Sequence, residues 1–323
     1  MTQTTPILLT GVGPGESNIA RLAGEMLLKL GQPIRAMVHR DDDWADGLRA
    51  HGADVVAGDL TRPHDVAAAL SGVRRVFFNF PVSSDYVEAA AILASLALEG
   101  GDLEVLVSMS QMTVSQMTST SSEESQQQRL HWLVEQMFTW SRLPVVTVRP
   151  TVFLDNPMFT RAPRQSIAKN GVLALPIGRG KTSPVAATDV ANVVKTVLRD
   201  PARHIGNVYE LTGPEVLGID ELAVRYGRAL GRPITGSDIP DEVYAKQLGS
   251  VVGIPPHVLG HLLTVAKVHR DDRYNRHTDD VRNVTGRAPE SVEDYIASHV
   301  ELFTGRLPMR EFAPTSRGVS ART

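Results

Sequence analysis

Short apolar runs alternate with stretches of helical spacing over the first 150 residues of the chain. Pro6 to Thr10 is a compact apolar run that ends in glycines, and Ile19 to Leu30 carries apolar residues at helical spacing up to Gly31. Pro33 to Val38 reads as a strand, Trp44 to Ala50 as a helix, Asp54 to Leu60 as a strand and Val66 to Leu70 as a short helix before Gly72. Arg75 to Phe80, Leu103 to Ser108 and Val145 to Arg149 read as further strands. Between them lie an Ala-rich helix, Ser84 to Leu98, and a second helix, Gln126 to Trp140. Alternation of this kind predicts an α/β fold: a Rossmann-type, doubly wound parallel sheet over residues 1–150, with helices on both faces. Right-handed crossovers then put the ligand crevice at the carboxyl ends of the strands, in the loops after Thr10, Val38, Leu60, Phe80, Ser108 and Arg149.

The pattern loosens after Pro150. Thr188 to Leu198 and Ile219 to Leu230 read as helices, and Val208 to Leu211 and Pro233 to Ile239 as strands. Residues 241–270 read as helices broken at Pro255 and Pro256, and Val292 to Phe303 as a last helix. Residues 151–305 therefore read as a smaller, mainly helical C-terminal part that faces substrate and returns in places to the sheet. Residues 306–323 form a Pro/Ser/Arg-rich tail.

Composition narrows the chemistry. The 323 residues carry a formal net charge of −3, which offers no overall basic footprint for nucleic acid. There is no cysteine, which excludes disulfides, thiolate catalysis and Cys-ligated metals. No apolar run reaches the roughly 18 residues of a membrane span, and the N-terminus lacks the pattern of a signal peptide, so a cytoplasmic location is the expectation. His257 and His261 are spaced i, i+4, but no third ligand accompanies them, and no metal is expected.

The segment Thr10-Gly11-Val12-Gly13-Pro14-Gly15-Glu16-Ser17-Asn18-Ile19-Ala20 lies between the first strand and the first helix. Glycines there let the backbone approach a pyrophosphate, and the helix start offers it unpaired N–H groups. The loop is longer than a standard Gly-x-x-Gly-x-x-Gly, with Ala20 where the last glycine would pack helix on strand. Thr10, Gly11, Gly13, Gly15, Asn18 and Ile19 are thus candidate cofactor contacts. At the end of the second strand, His39 and Arg40 favour the 2′-phosphate of NADP(H) over the free 2′-hydroxyl of NAD(H), although the run Asp41-Asp42-Asp43 argues the other way. Asp59 and Leu60 end the third strand. Asp59 is placed either to accept from the adenine amino group or to serve as a turn residue. Asn79, Phe80 and Pro81 should pass beside the cofactor ribose.

These residues, with Arg35-Ala36-Met37-Val38, Gly58-Asp59-Leu60, His131-Trp132-Leu133-Val134-Glu135-Gln136, Val148-Arg149-Pro150, Phe153, Asn156, Ala187-Thr188-Asp189-Val190-Ala191 and Thr285-Gly286-Arg287-Ala288-Pro289, resemble the NmrA-like branch of the atypical short-chain dehydrogenases/reductases. The resemblance covers most of residues 6–305. It implies NAD(P)(H) binding, with either reduction of quinones or enones or a redox-sensing regulatory role. Ser108, Pro150, Thr151 and Phe153 would complete the cofactor contacts. One departure stands out: the Tyr-x-x-x-Lys pair that transfers a proton in typical short-chain dehydrogenases is missing from the helix after the fifth strand.

His131 is the strongest proton donor on that helix. It could instead hold the nicotinamide ribose, or pack beside Trp132 without a role. Ser110, like Ser108, stands where a hydroxyl would orient a substrate carbonyl, or satisfies local backbone groups. Met109, Met112 and Met117 read as an adaptable apolar wall or as packing. Arg149 and Asp189 read as joints between the two halves of the chain. Two functions follow: an NAD(P)H-dependent reductase of a small, apolar, electron-poor substrate, or a non-catalytic NADP(H) sensor that binds a partner protein. Either is compatible with a monomer or a homodimer.

Overall fold

The computed structural model describes residues 5–303 apart from Glu16 and Val252; the tail read over 306–323 lies outside the described residues. The N-terminal half runs β1 (Ile7–Leu9), α1 (Ile19–Lys29), β2 (Ile34–Val38), α2 (Asp43–Ala50), β3 (Asp54–Ala57), α3 (Pro63–Leu70), β4 (Arg75–Phe78), α4 (Tyr86–Gly100), β5 (Val105–Met109), α5 (Gln126–Ser141) and β6 (Val145–Pro150). It continues through α6 (Arg164–Asn170), β7 (Val172–Leu175), α7 (Ala187–Arg199), β8 (Val208–Leu211), α8 (Ile219–Leu230) and β9 (Thr235–Asp238). The helices α9 (Asp241–Gly249), α10 (Pro256–Arg270), α11 (Asp280–Thr285) and α12 (Val292–Ser298) follow.

Seven strands form one parallel sheet in the order β3-β2-β1-β4-β5-β6-β8. The order reverses between β1 and β4, the position at which open parallel sheets take a ligand outside the carboxyl ends of their strands. Strand side chains alternate between two cores, as the two-residue period requires. Ile7, Leu9, Phe77, Val105 and Val107 pack with α1 and α7 on one face. Leu8, Val76, Phe78 and Leu106 pack with α3, α4 and α5 on the other. Gly24 lets α1 approach closely: a Cβ there would meet Leu9 Cδ1 at 2.9 Å and Ile34 Cδ1 at 3.0 Å.

The doubly wound sheet expected from the sequence is present, and the later part of the chain adds three things. Val208–Leu211 extends the main sheet beside β6, with Thr147 opposite Val208. Strand β7 and helix α6 were not legible in the loosened pattern. β7 pairs with β9 in a separate two-stranded parallel sheet, over a third core that includes Phe159, Tyr226, Tyr295 and Phe303. The last helix stops at Ser298 and resumes as a 3-10 turn, Val300–Leu302, where the sequence suggests one continuous helix to Phe303.

Candidate functional site

The loop after β1 is built around Thr10 and Gly11. The buried Thr10 hydroxyl donates to the Asn79 carbonyl at 2.8 Å and accepts from the Asn79 N–H at 3.0 Å, stitching the end of β1 to the end of β4. Gly11 sits at φ +66°, and a Cβ on it would lie 2.4 Å from the Asn79 carbonyl oxygen. Asn18 then ties the far end of the loop. Its Nδ2 donates to the Gly11 carbonyl at 2.9 Å, and its Oδ1 accepts the Arg21 N–H at 2.9 Å as the N-cap of α1. Gly15 has open space where its Cβ would be, and Gly13 meets only Asn18 Nδ2 at 3.4 Å. A backbone that close, with the first-turn amides of Ile19 and Ala20 beside it, has the donor set and the free volume a diphosphate needs.

On the adenine side, two carboxylates of the acidic run after Arg40 have local partners. Asp41 is paired with Arg49 at 2.7 Å, and Asp42 caps α2 by accepting from Trp44 N at 3.1 Å and Ala45 N at 3.2 Å. Their carboxylates are committed to local structure, while His39 and Arg40 are exposed at the carboxyl end of β2. Asp59 uses one oxygen as a turn residue, accepting from Thr61 N at 2.9 Å and the Thr61 hydroxyl at 2.8 Å. Leu60 is buried beneath that turn. Phe80 is half-buried with its ring edge toward Tyr86, and Pro81 is exposed. Pro150 and Thr151 are buried at the end of β6, and Phe153 bridges to Val185 and packs on the core.

Helix α5 buries a polar stripe. Its inner face runs Gln127, Gln128, His131, Val134, Glu135 and Phe138, which is helical spacing with charge and amide where a packing helix would have leucine. A capping box of Ser125 and Gln128 starts the helix. Two of the expected residues have defined surroundings here. Ser110 does not have a free hydroxyl hydrogen for a substrate carbonyl: it donates to Glu135 Oε1 at 2.5 Å. The surroundings of His131 disfavour its charged form. The ring is buried against Tyr86, with ring centroids 4.2 Å apart, and desolvation, then the nearby His261, push its pKa down to about 3. At neutral pH it is an uncharged ring. Arg149 does join the halves of the chain, through Glu135 on α5 at 2.5 Å and Glu210 on β8 at 3.6 Å, whereas Asp189 accepts the Glu290 N–H at 2.7 Å, a bond inside the C-terminal part.

Three buried polar atoms belong to residues at or near this end of the sheet. Ser108 Oγ near the end of β5, Thr151 Oγ1 just past β6 and His131 Nδ1 make no hydrogen bond among the described residues. Buried polar atoms are rarely left so, and a polar ligand at the carboxyl end of the sheet would satisfy them. The expected Met109, Met112 and Met117 are all buried. Of these, Met112 begins a 3-10 turn, Met112–Gln116, that Arg273 and Arg276 tie down through Gln116 and Ser115. Sequence reasoning missed Gln127, Tyr86 and Ser83. Their partners lie far along the chain, and no local spacing marks them. A surface depression lined by Leu70, Arg74, Leu96 and Leu103 lies at the opposite ends of the strands, away from all these groups. No three potential ligands among the described residues are placed to hold a metal, and no described helix is long and apolar enough to cross a membrane.

Buried histidines make the fold acid-labile. His269 is fully buried, and burial holds it at about 4 against 6.5 for an exposed ring, despite its bond to the Val265 carbonyl. Between those values the unfolded chain binds a proton that the folded chain does not. Stability contributed by the neutral ring is therefore complete above pH 6.5 and falls as acid is added, by about 1.4 kcal/mol per pH unit. Urea unfolding from pH 7 to pH 4 should show this slope, and His269→Gln should reduce proton uptake on unfolding by about one.

A model of the NmrA-like family matches residues 15–301. An NAD(P)H azoreductase from Xenophilus azovorans is 30% identical over 299 residues, covering 92% of this chain and 98% of that protein. Among solved structures, an NADPH-dependent quinone oxidoreductase from Escherichia coli in complex with NADPH superposes with a TM-score of 0.76 at 20% identity, covering 91% of this chain and 99% of that one. NmrA, a negative transcriptional regulator, in complex with NADP superposes with a TM-score of 0.77 at 19% identity, covering 94% and 99%. At these identities the two structures speak for the fold.

Proposed function

The chain belongs to the NmrA-like family, and from that premise we propose that it is an NAD(P)H-dependent oxidoreductase that reduces a small, apolar, electron-poor substrate such as a quinone or an enone. NADP(H) is favoured over NAD(H). The observation that carries this reading is the loop at the switch point between β1 and β4, where Gly11, Gly13 and Gly15 bring bare backbone to a helix start, together with buried polar atoms of Ser108, Thr151 and His131 that make no standard hydrogen bond. The azoreductase, similar over nearly its whole length, supports reduction over a purely regulatory role.

The reduced nicotinamide, when bound, supplies a hydride. The chain positions and screens it. Ser108 and Thr151 would bind its polar groups, and Phe80 and Phe153 would line the crevice. Reduction of a quinone to the quinol takes one hydride and one proton. Since His131 is neutral and Ser110 is bonded to Glu135, the proton comes from solvent and not from a Tyr/Lys pair. Such chemistry suits acceptors whose reduced oxygen is a weak base, a quinone more than a simple ketone. Arg40 would meet the 2′-phosphate.

NADPH oxidation followed at 340 nm with a panel of quinones and enones tests the activity; tight NADPH binding with no turnover on any of them would count against it. In the same assay Arg40→Ala should weaken NADPH about tenfold or more while leaving NADH within about twofold. Equal losses for both coenzymes would overturn the NADP(H) preference. The alternative, a sensor that binds a partner protein, predicts no turnover and a partner whose binding differs between NADP⁺ and NADPH.

A further inference from the structure

Gln127 is almost completely buried, and its side-chain amide meets three parts of the chain. Oε1 faces the backbone N–H of Ser83 in the β4–α4 loop at 3.1 Å and Nε2 of His257 on α10 at 2.7 Å. Nε2 faces Nε2 of His131, one turn along α5, at 3.2 Å. One of these groups has no choice of role. A backbone N–H can only donate, so the atom of Gln127 facing Ser83 must be the carbonyl oxygen. The other atom is then the NH₂, which can only donate, and His131 Nε2 must accept. The proton of the neutral His131 ring therefore sits on Nδ1. By the same logic His257 carries its proton on Nε2.

We propose that Gln127 is a positioning residue that fixes His131 as the neutral Nδ1–H tautomer, and that it clasps the β4–α4 loop and α10 to the start of α5. The tautomer matters because His131 Nδ1 is the buried, unpartnered atom beside the carboxyl end of β5. The Met109 carbonyl close to it accepts the Tyr86 hydroxyl at 2.7 Å and keeps a second lone pair that an Nδ1–H can meet. Gln127 thus leaves a donor, and not a lone pair, at this buried position beside the end of β5. A donor suits the carboxamide oxygen of a nicotinamide or the carbonyl oxygen of an electron-poor substrate. This consequence for catalysis rests on the reductase reading; the tautomer does not.

His131 faces Tyr86 from α4 and His261 from α10, with His257 beyond His261; Glu135, one turn along its own helix, is held by Arg149. None of them is a free carboxylate, so the ring stays neutral over the working pH range. Replacing Gln127 by glutamate keeps both acceptors for Ser83 and His257 but removes the donor to His131. The ring should then move its proton to Nε2, and the new carboxylate should raise its titration toward neutrality.

Long-range ¹H–¹⁵N correlation spectra of ¹⁵N-histidine-labelled full-length protein at pH 7, without cofactor, test this. The wild type should show His131 as Nδ1–H, Gln127→Glu should shift it to Nε2–H or to the protonated ring, and His257→Ala should leave the Nδ1–H form intact. Gln127→Glu should lower kcat for quinone reduction about tenfold or more, with less than a threefold change in the KM for NADPH, and should introduce a pH dependence near neutrality. An Nε2–H signal in the wild type, or Nδ1–H retained in Gln127→Glu, overturns the proposal; if that variant does not fold, the wild-type signal decides alone. Absence of turnover in the wild type would count against the reductase reading while the tautomer result stands.

Discussion

Replacing Gly11 by valine is expected to lower nicotinamide dinucleotide affinity by about a hundredfold or more and to destabilise the fold by roughly 2–4 kcal/mol. Two costs combine. The backbone at Gly11 is left-handed, at φ +66°, which a β-branched residue adopts only under strain. Its Cβ would also fall 2.4 Å from the Asn79 carbonyl oxygen, and that carbonyl cannot retreat, because the Thr10 hydroxyl holds it at 2.8 Å. Either β1 and β4 part at the switch point or the loop leaves its path, and both destroy the crevice. Gly15→Ala separates binding from folding. A Cβ at Gly15 meets nothing within 4 Å, so thermal unfolding should be unchanged or slightly raised. Calorimetric affinity should still fall, since the added methyl stands where a diphosphate would lie. Wild-type affinity in Gly15→Ala would place the diphosphate elsewhere.

The second large effect is expected at Arg149. Arg149→Met should cost about 3–5 kcal/mol in urea unfolding, because it leaves Glu135, whose side chain is only 7% exposed, without its cation. Arg149 Nε and Nη2 hold the two Glu135 oxygens at 3.0 and 2.5 Å, and Ser110 donates to the same carboxylate. Glu210 would keep Arg276, at 2.5 Å, so the loss concentrates on α5. Removing both charges should return much of the stability: Arg149→Met with Glu135→Leu is expected within about 2 kcal/mol of the wild type, since a buried ion pair yields little over apolar packing once its desolvation is counted. A double variant as unstable as Arg149→Met alone would show that the carboxylate is needed for its bond to Ser110 and not only as the partner of Arg149.

Local chemistry in the sequence determined the winding of the sheet. Apolar triplets such as Ile7–Leu9 and the full-face helices between them admit little else, and the glycine loop with its Asn18 cap follows from residues adjacent in the chain. The opposition of Arg40 to Asp41-Asp42-Asp43 was visible there as well, but the local partners of Asp41 and Asp42 were not, because they needed Arg49 and the start of α2 in place. Tertiary structure alone decided the roles of His131 and Ser110. Each looked free in the sequence, yet Tyr86, brought from another helix, packs on the His131 ring, and Glu135 accepts the Ser110 hydroxyl. Gln127 had no local mark at all, since its partners Ser83 and His257 lie 44 and 130 residues away. Hydrophobic period and turn chemistry act over a few residues and are written in the order of the chain, whereas the charge and hydrogen-bonding state of a buried side chain is set by whatever the fold packs against it.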